Sequence, residues 1–387
     1  MRFAYYPGPS RFVDGLDVRA ANGRLLIREI LEKPAAISLC VWWWDTAESR
    51  GDGMRHYDCL RREIEILSLD LPAGCTIGQV HCRFNGPPVA SLMRTIRQAL
   101  PLMSEGGHSA HIDLTAATRS GLESLYASGF TQLRLNAASA QGGHDLSTTV
   151  SEAGNIGFEP IEIAFGYPYA ETIRSIRELL QTTSRSPLRL SYPALADGCL
   201  TDPGMLSLAN ELRDAGYPYF GMGYFVRPDD DLATARGRGM LKYDARGYVA
   251  SSASDFLGVG PDAISRLGRA YCQNFDDVEL YCLALQAGRL PVRGGIVLSN
   301  DDLARRSVMH SLICNLEVSF EAIGISYLLD FERYFAPELT RLQNFLRARL
   351  IEIDGEWLVI TPAGVSHLPA ICEVFDIYQE QVERGPP

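Results

Sequence analysis

Five short runs of the chain carry ionisable or hydrogen-bonding side chains at alternate positions: Gln79, His81 and Arg83; His111 and Asp113; Arg134 and Asn136; Glu162; Arg189 and Ser191. The residues between them are apolar, among them Val80, Cys82, Phe84, Ile112, Leu114, Leu133, Leu135, Ile161, Ile163, Leu188 and Leu190. Side chains two apart on a strand point to one face, so neighbouring strands would gather the polar groups on one surface. Arg83, Arg134, Arg189, His81 and His111 against Asp113 and Glu162 make that surface locally positive. It suits an anionic ligand, because guanidinium forks match carboxylate or phosphate geometry. His111, beside Asp113 and near Glu162, has an ordinary pKa within reach of neutral pH, so these three are the candidates for acid–base catalysis. Gln79, His81, Arg83, Arg134, Asn136 and Arg189 are the candidates for holding substrate. His81, His111 and a carboxylate could bind a metal, but their spacing does not single that out, and no metal is expected.

The elements that must position these groups are legible in the same stretch. Apolar, β-branched runs at Ala36–Trp43, Thr76–Phe84, Ser109–Leu114, Gln132–Ala137, Pro160–Phe165, Pro187–Tyr192 and Tyr219–Gly223 alternate with helical periodicity at Tyr57–Leu67, Ser91–Leu102 and Ala170–Leu180. That order is the mark of βαβ units and a parallel sheet. A packed barrel core is filled by Val, Ile and Leu, and each unpartnered buried polar group costs roughly 1–3 kcal/mol. So many polar groups on one face therefore predict a wet, ligand-sized lumen. The competing reading is a self-satisfied network, with Asp113 on Arg134 and Glu162 on Arg189.

Past residue 300 the pattern changes. Asp301–Asn315 and Pro337–Arg349 read as helices, Arg349–Thr361 as two alternating strands about an Asp354-Gly355 turn, and Ala370–Gln379 as a closing helix. The hairpin carries Glu352, Asp354 and Glu356, which disfavours nucleic acid. The whole chain points the same way, with 47 acidic against 36 basic side chains and a net charge of −11. No run approaches ~20 apolar residues and the start lacks an apolar signal core, so a cytoplasmic protein without a membrane partner is expected. The nine cysteines are scattered singly and read as buried, reduced side chains.

A further set of short blocks occurs in one order: Gly221-Met-Gly-Tyr-Phe-Val-Arg227-Pro-Asp-Asp-Asp231, Gly247-Tyr248, Asp255-Phe-Leu-Gly-Val-Gly260-Pro-Asp-Ala-Ile-Ser265, Gln273-Asn274, Asp301-Asp302-Leu-Ala-Arg-Arg306 and Ser311-Leu-Ile-Cys-Asn315. In these blocks the chain resembles the oxygen-independent coproporphyrinogen III oxidase family over nearly its whole length. The resemblance implies an α/β fold: an incomplete (β/α)6 parallel barrel of the radical S-adenosylmethionine type with a small winged-helix-like C-terminal α+β module. It implies an arm over 1–30, the barrel over 31–225, a capping and connecting region over 226–300, and the C-terminal module over 301–387.

It also implies a [4Fe-4S] cluster on a Cys-x3-Cys-x2-Cys loop after the first strand, and here the chain departs. Aligned through Ile37-Ser-Leu-Cys-Val41, the three cysteines fall on Thr46, Arg50 and Gly53, and a fourth family cysteine falls on Arg55. The glycine run for S-adenosylmethionine is replaced by Arg83-Phe-Asn85, a cofactor-contacting glutamate maps to His111, and a glutamine maps to Ala138. Trp42-Trp-Trp44 directly precedes the vacated loop, and its aromatic bulk could fill the vacated iron site or stack on a planar ligand. The expectation is a cluster-less relative with no cofactor, performing non-radical acid–base chemistry on a small anionic organic substrate in specialised metabolism. The alternative is a non-catalytic pseudoenzyme that binds a tetrapyrrole or another carboxylated planar ligand. A subunit that stabilises an intact paralogue, a homo-oligomer, and a variant that keeps S-adenosylmethionine as an ordinary electrophile stay open.

Overall fold

After a short arm strand, β1 (Val13–Asp14), the apolar runs become six neighbours: β2 (Ala36–Trp42), β3 (Thr76–Phe84), β4 (His108–Asp113), β5 (Phe130–Asn136), β6 (Ile161–Ala164) and β7 (Leu188–Ser191). Each pairs in parallel with the next. The computed structural model describes residues 4–14, 36–42, 53–72, 74–84, 89–103, 107–137, 146–166, 174, 176–180, 188–193, 203–250 and 255–378. Helices α1 (Gly53–Asp70), α2 (Val89–Ala99), α3 (Arg119–Ala127) and α4 (Leu146–Ile156) lie in the crossovers. On β4 the residues His108, Ala110 and Ile112 are buried while Ser109, His111 and Asp113 are half-buried, so the two faces of the pleat have separate fates. The apolar face joins the helices in one continuous core that includes Val80, Ile112, Leu133, Ile161 and Leu188.

The sheet does not end at the sixth strand. Beyond α5 (Pro203–Asp214), β8 (Tyr219–Gly221) and β9 (Tyr224–Val226) form an antiparallel pair, with β9 antiparallel to β7. The run expected at Tyr219–Gly223 is thus a turn-back rather than another βα unit: Gly221 and Gly223 both have positive φ, which lets the chain reverse. After α6 (Asp231–Gly237), β10 (Leu241–Asp244) and β11 (Gly247–Ala250) make a separate hairpin. Then β12 (Phe256–Val259) returns to pair in parallel with the opposite edge, on β2, and β13 (Ile264–Leu267), β14 (Ala270–Asn274) and β15 (Val292–Val297) extend that edge antiparallel. The arm strand β1 closes on β15. Among the described residues the result is a thirteen-stranded sheet, parallel at its centre from β12 through β2 to β7 and antiparallel toward both edges.

The C-terminal α+β module begins with α8 (Asn300–Asn315), whose start is fixed by a capping box between Ser299 and Asp302. The expected hairpin is present as β17 (Ile351–Asp354) and β18 (Trp357–Ile360), and β16 (Glu317–Ser319) adds a third strand. The helix expected over Pro337–Arg349 is broken into Ala336–Arg341 and Gln343–Arg347. Leu342, fully buried, is the cap residue that the two segments share, with φ −67° and ψ −13°. The closing helix is shorter than expected, spanning Leu368–Glu373.

The cysteines depart from the expectation of uniformly reduced thiols. Cys59 on α1 and Cys282 on α7 (Val278–Gln286) form a disulfide across 223 residues, because packing of these two helices brings together cysteines that the sequence shows only as scattered. Cys40, Cys75, Cys82, Cys272, Cys314 and Cys372 are free and buried. One turn along α1, Glu63 is 1% exposed and accepts hydrogen bonds from Gly260 N (2.9 Å), Asn274 Nδ2 (2.7 Å) and the Tyr281 hydroxyl (2.6 Å). Gly260 itself, at φ +113°, lies so close to the Trp42 carbonyl that a Cβ would meet the oxygen at 2.2 Å. The helix after the divergent loop and the end of β2 are thus clamped by the same few residues.

Burial raises the Glu63 carboxyl from its ordinary 4.5 to about 7, against the pull of its three hydrogen bonds. The folded state therefore holds this proton more tightly than the unfolded chain does. Stability from this group is full below pH 4.5 and falls as pH rises to about 7, by about 3 kcal/mol. Thermal melts from about pH 5 to about pH 8 should show a steeper loss in the native chain than in Glu63→Gln, which cannot ionise; parallel curves for the two proteins would contradict this assignment.

Candidate functional site

The register of the parallel strands turns the alternation into a lateral row. Trp42 lies opposite Arg83, Arg83 opposite His111, His111 opposite Arg134, Arg134 opposite Glu162, and Glu162 opposite Arg189. A second row, one pleat earlier, runs Cys40, His81, Ser109 and Gln132. Strands are spaced by about 4.8 Å, so each row is a continuous band of functional groups. Both rows line one cavity of about 650 Å³, together with Gln79, Tyr5 and Pro9 of the arm, and Arg246 and Tyr248 of the β10–β11 hairpin. This volume falls within the ~300–1,000 Å³ typical of small-molecule sites.

Of the residues singled out in sequence, Gln79, His81, Arg83, His111, Arg134, Glu162, Arg189 and Trp42 meet in this cavity. Asp113 and Asn136 do not line it; Asn136 Nδ2 donates to Asp113 Oδ1 at 2.7 Å near the C-terminal ends of β4 and β5. Trp44, Thr46 and Arg50 lie outside the described residues, and Gly53 opens α1. Ser109 and Gln132 were missed, although extending the alternation of β4 and β5 by one step finds both. Arg246 and its partner Asp244 carry no such signal, because the hairpin that delivers them is 165 residues from His81.

The ion pairs also differ from those expected. Arg134 pairs with Glu162 at 3.2 Å, and Arg189 Nε donates to both oxygens of Asp230 at 3.0 and 2.8 Å. Adjacent strands put Arg134 beside Glu162, whereas Asp230 reaches Arg189 from the N-cap of α6, where it also accepts from Leu232 N. Ser191 donates to the other side of the row, at Glu162 Oε1 (2.6 Å). Asp244 is 1% exposed and pairs with Arg246 through the guanidinium Nε (2.9 Å) and Nη2 (2.5 Å) and the backbone N (2.9 Å). Burial alone would raise the Asp244 carboxyl, but the Arg246 guanidinium holds it down at about 2.

Arg246 Nη1 approaches His81 Nε2 at 2.6 Å, and His81 Nδ1 approaches Ser109 Oγ at 2.5 Å. Guanidinium can only donate, so Nε2 must accept, the ring proton sits on Nδ1, and His81 donates to Ser109. The Ser109 hydroxyl then keeps its own proton available to the lumen. This polarity is opposite to that of a serine nucleophile, whose histidine must accept the hydroxyl proton. Burial, and then the Arg246 charge, holds His81 well below its ordinary pKa; burial, Arg134 and Arg83 do the same to His111. Both imidazoles are therefore neutral at neutral pH. The ordinary imidazole pKa within reach of neutral pH is not kept by His111: burial first, and then Arg134 and Arg83, lower it, and a general-acid role as imidazolium goes with it.

The cofactor chemistry implied by the resemblance requires particular donors. Iron–sulfur clusters are held chiefly by thiolates. Cys40 and Cys82 reach the lumen from neighbouring strands, two thiols where the family loop implied by the resemblance supplies three. Among the described residues no three His, Cys, Asp or Glu side chains come together as a metal site. The described residues do not fit a cluster.

Residues 298–367 match the HemN C-terminal domain family. The chain is 30% identical to oxygen-independent coproporphyrinogen III oxidase of Pseudomonas aeruginosa over 87% of its own length and 82% of the relative's. It is 28% identical to the Escherichia coli protein of the same name, over 85% and 80%. Its fold superimposes on the solved structure of E. coli coproporphyrinogen III oxidase (HemN), described as a radical SAM enzyme, with a TM-score of 0.83, 24% identity and 96% of each chain covered. No helix among the described residues is long and apolar enough to cross a membrane.

Removing one member of the Asp244–Arg246 pair strands the other in a buried site. Arg246→Met should cost on the order of 3–5 kcal/mol in urea unfolding, and Asp244→Asn with Arg246→Met should recover much of it. Simple additivity of the two single losses would show that the pair is not coupled.

Proposed function

The chain belongs to the oxygen-independent coproporphyrinogen III oxidase family, and from that premise we propose that it is a member without radical chemistry that binds a carboxylated, planar organic anion in its barrel lumen. The observation that carries this reading is the row Arg83–His111–Arg134–Glu162–Arg189, with Arg246 facing it from the hairpin. Each guanidinium has five N–H donors, and a single carboxylate partner uses only some of them. The remainder can meet ligand carboxylates as charge-assisted hydrogen bonds. Trp42 at one end of the row and Tyr5 and Tyr248 in the walls supply flat apolar surface for a macrocycle. The relatives' name identifies a tetracarboxylic tetrapyrrole as their substrate, and this chemistry matches an arginine-lined lumen of this size.

The non-radical part of the proposal rests on the donors. Thr46, Arg50 and Gly53 stand at the aligned cluster positions, and among the described residues Cys40 and Cys82 are the two thiols that line the lumen. His81, His111 and Gln79 then serve as neutral hydrogen-bonding groups that orient the ligand between the arginines. One observation favours a second reading, that of an acid–base enzyme acting on a small anion. An imidazole kept unprotonated while lining the lumen, as His111 is, has the form that a base requires. Loss of turnover in His111→Gln or Glu162→Gln, on whatever substrate the lumen takes, would favour that reading over binding alone.

Titration with coproporphyrin III, followed by tryptophan quenching, should give one-to-one binding. Arg83→Gln should weaken it ~10-fold or more, as expected for one charge-assisted bond, and the tetramethyl ester should bind far less well. Equal affinity for acid and ester, or no binding of any carboxylated macrocycle, would refute the ligand class. A stable cluster absorption band after anaerobic iron–sulfur reconstitution would refute the non-radical clause.

A further inference from the structure

The arm has two faces, and each meets a cavity. Tyr5 lines the lumen, whereas its neighbours Ala4 and Tyr6 line a second cavity of about 270 Å³ between the sheet extension and the C-terminal module. Three cations from three separate elements converge on that second space: Lys242 of β10, Arg266 of β13 and Arg306 of α8. Asp255 is the one carboxylate among its described lining residues, and its Oδ1 already accepts from Gly268 N at 3.1 Å. The Arg266 guanidinium lies 5.2 Å from the Phe256 ring centroid, and Arg306 Nη1 approaches the Tyr271 hydroxyl at 3.4 Å, so aromatic side chains hold both forks in place.

This gathering works against itself electrostatically. Burial and then the Arg266 charge lower the Lys242 pKa, and burial with Arg266, Lys242 and Arg306 holds His310, one turn beyond Arg306, at about 4. His310 is therefore a neutral hydrogen-bonding group in the same wall. Like charges held together at a cost, in a concave space with hydroxyls beside them, are the arrangement that a bound anion relieves.

We propose that this second cavity is a binding site for a small phosphate-bearing molecule, held by Lys242, Arg266 and Arg306. Three cations less one carboxylate leave two positive charges, which match a phosphate monoester dianion better than a single carboxylate. Donors arriving from three elements suit a tetrahedral group, while one guanidinium fork would satisfy a planar carboxylate. Ser307 and Ser311 add hydroxyls to the wall, and Met309 and Ile313 leave an apolar side for a short organic remainder. The site is independent of the lumen reading, since no arginine is shared between the two cavities.

Calorimetric titration of the full chain with inorganic phosphate and with glycerol 3-phosphate, at constant ionic strength, tests this. One saturable site per chain is expected, weakened ~10-fold or more (about 1.4 kcal/mol) by Arg306→Gln and by Lys242→Met, and changed less than about twofold by the lumen variant Arg83→Gln. Acetate at the same ionic strength should bind at least ~10-fold more weakly. Two variants on different elements keep the test usable if one of them fails to fold. Absence of saturable binding, affinity unchanged in both variants, or loss confined to Arg83→Gln would each overturn the proposal.

Discussion

Each guanidinium on the inner face of this sheet is tolerated because a carboxylate stands within reach. Arg134 has Glu162, Arg189 has Asp230, Arg246 has Asp244, and Arg83 feels the charge of Asp113. An uncompensated buried charge costs several kcal/mol, comparable to much of a domain's net stability. The partners come from different parts of the chain: a neighbouring strand for Arg134, a helix N-cap for Arg189, a two-residue reach within a hairpin for Arg246. Placing the β10–β11 hairpin over the lumen and starting α6 where it does are therefore conditions for carrying the arginine row at all. The same pairs hold the forks rigid, and rigidity is what lets a fork discriminate between anion shapes.

How much of this was visible in the sequence follows from which distances were local. The alternation on β3 to β7 named most of the lumen wall, because a strand's period of two is a property of consecutive residues. Register was not readable, yet it decides that Arg134 meets Glu162 rather than Asp113. A shift of two residues on one strand would preserve the face and exchange the partner. Nothing in Arg227-Pro-Asp-Asp-Asp231 distinguishes Asp230, which caps α6 and turns inward, from Asp229, which pairs with Arg227 at the surface. The Cys59–Cys282 bridge and the return of β12 to β2 were opaque for the same reason, being contacts made across some two hundred residues. The turn at Gly355, by contrast, is local, and the hairpin around it was fully legible.

The end of β2 and the start of α1 meet at one of the more tightly specified parts of the molecule. Gly260 packs on the Trp42 carbonyl, its N–H donates to Glu63, and Glu63 ties α1 to β14 and α7. In the family this neighbourhood supports cluster ligation, as implied by the resemblance. In this chain the aligned positions carry Thr46, Arg50 and Gly53. This neighbourhood draws its stability from buried apolar surface and the Glu63 network. The apolar outer face of the sheet is committed to the helices, whereas the inner wall carries the polar rows.

The arm links the two cavities, as the β10–β11 hairpin also does. Phe12 stacks on Tyr271 with centroids 5.8 Å apart, Tyr5 meets the same ring edge-on at 5.9 Å, and Tyr6 packs on Tyr378 of the C-terminal module at 5.8 Å. Tyr271 belongs to β14 and lines the second cavity, and its hydroxyl faces Arg306. One aromatic ring thus touches the arm segment over the lumen and the cation cluster behind it. A strand such as β1, two residues long and paired only at the sheet's edge, contributes little hold of its own. The aromatic contacts, rather than strand pairing, therefore set how firmly the arm sits. Any ligand that ordered the cations around Tyr271 would act on the arm through the same contacts that position Tyr5 in the lumen wall.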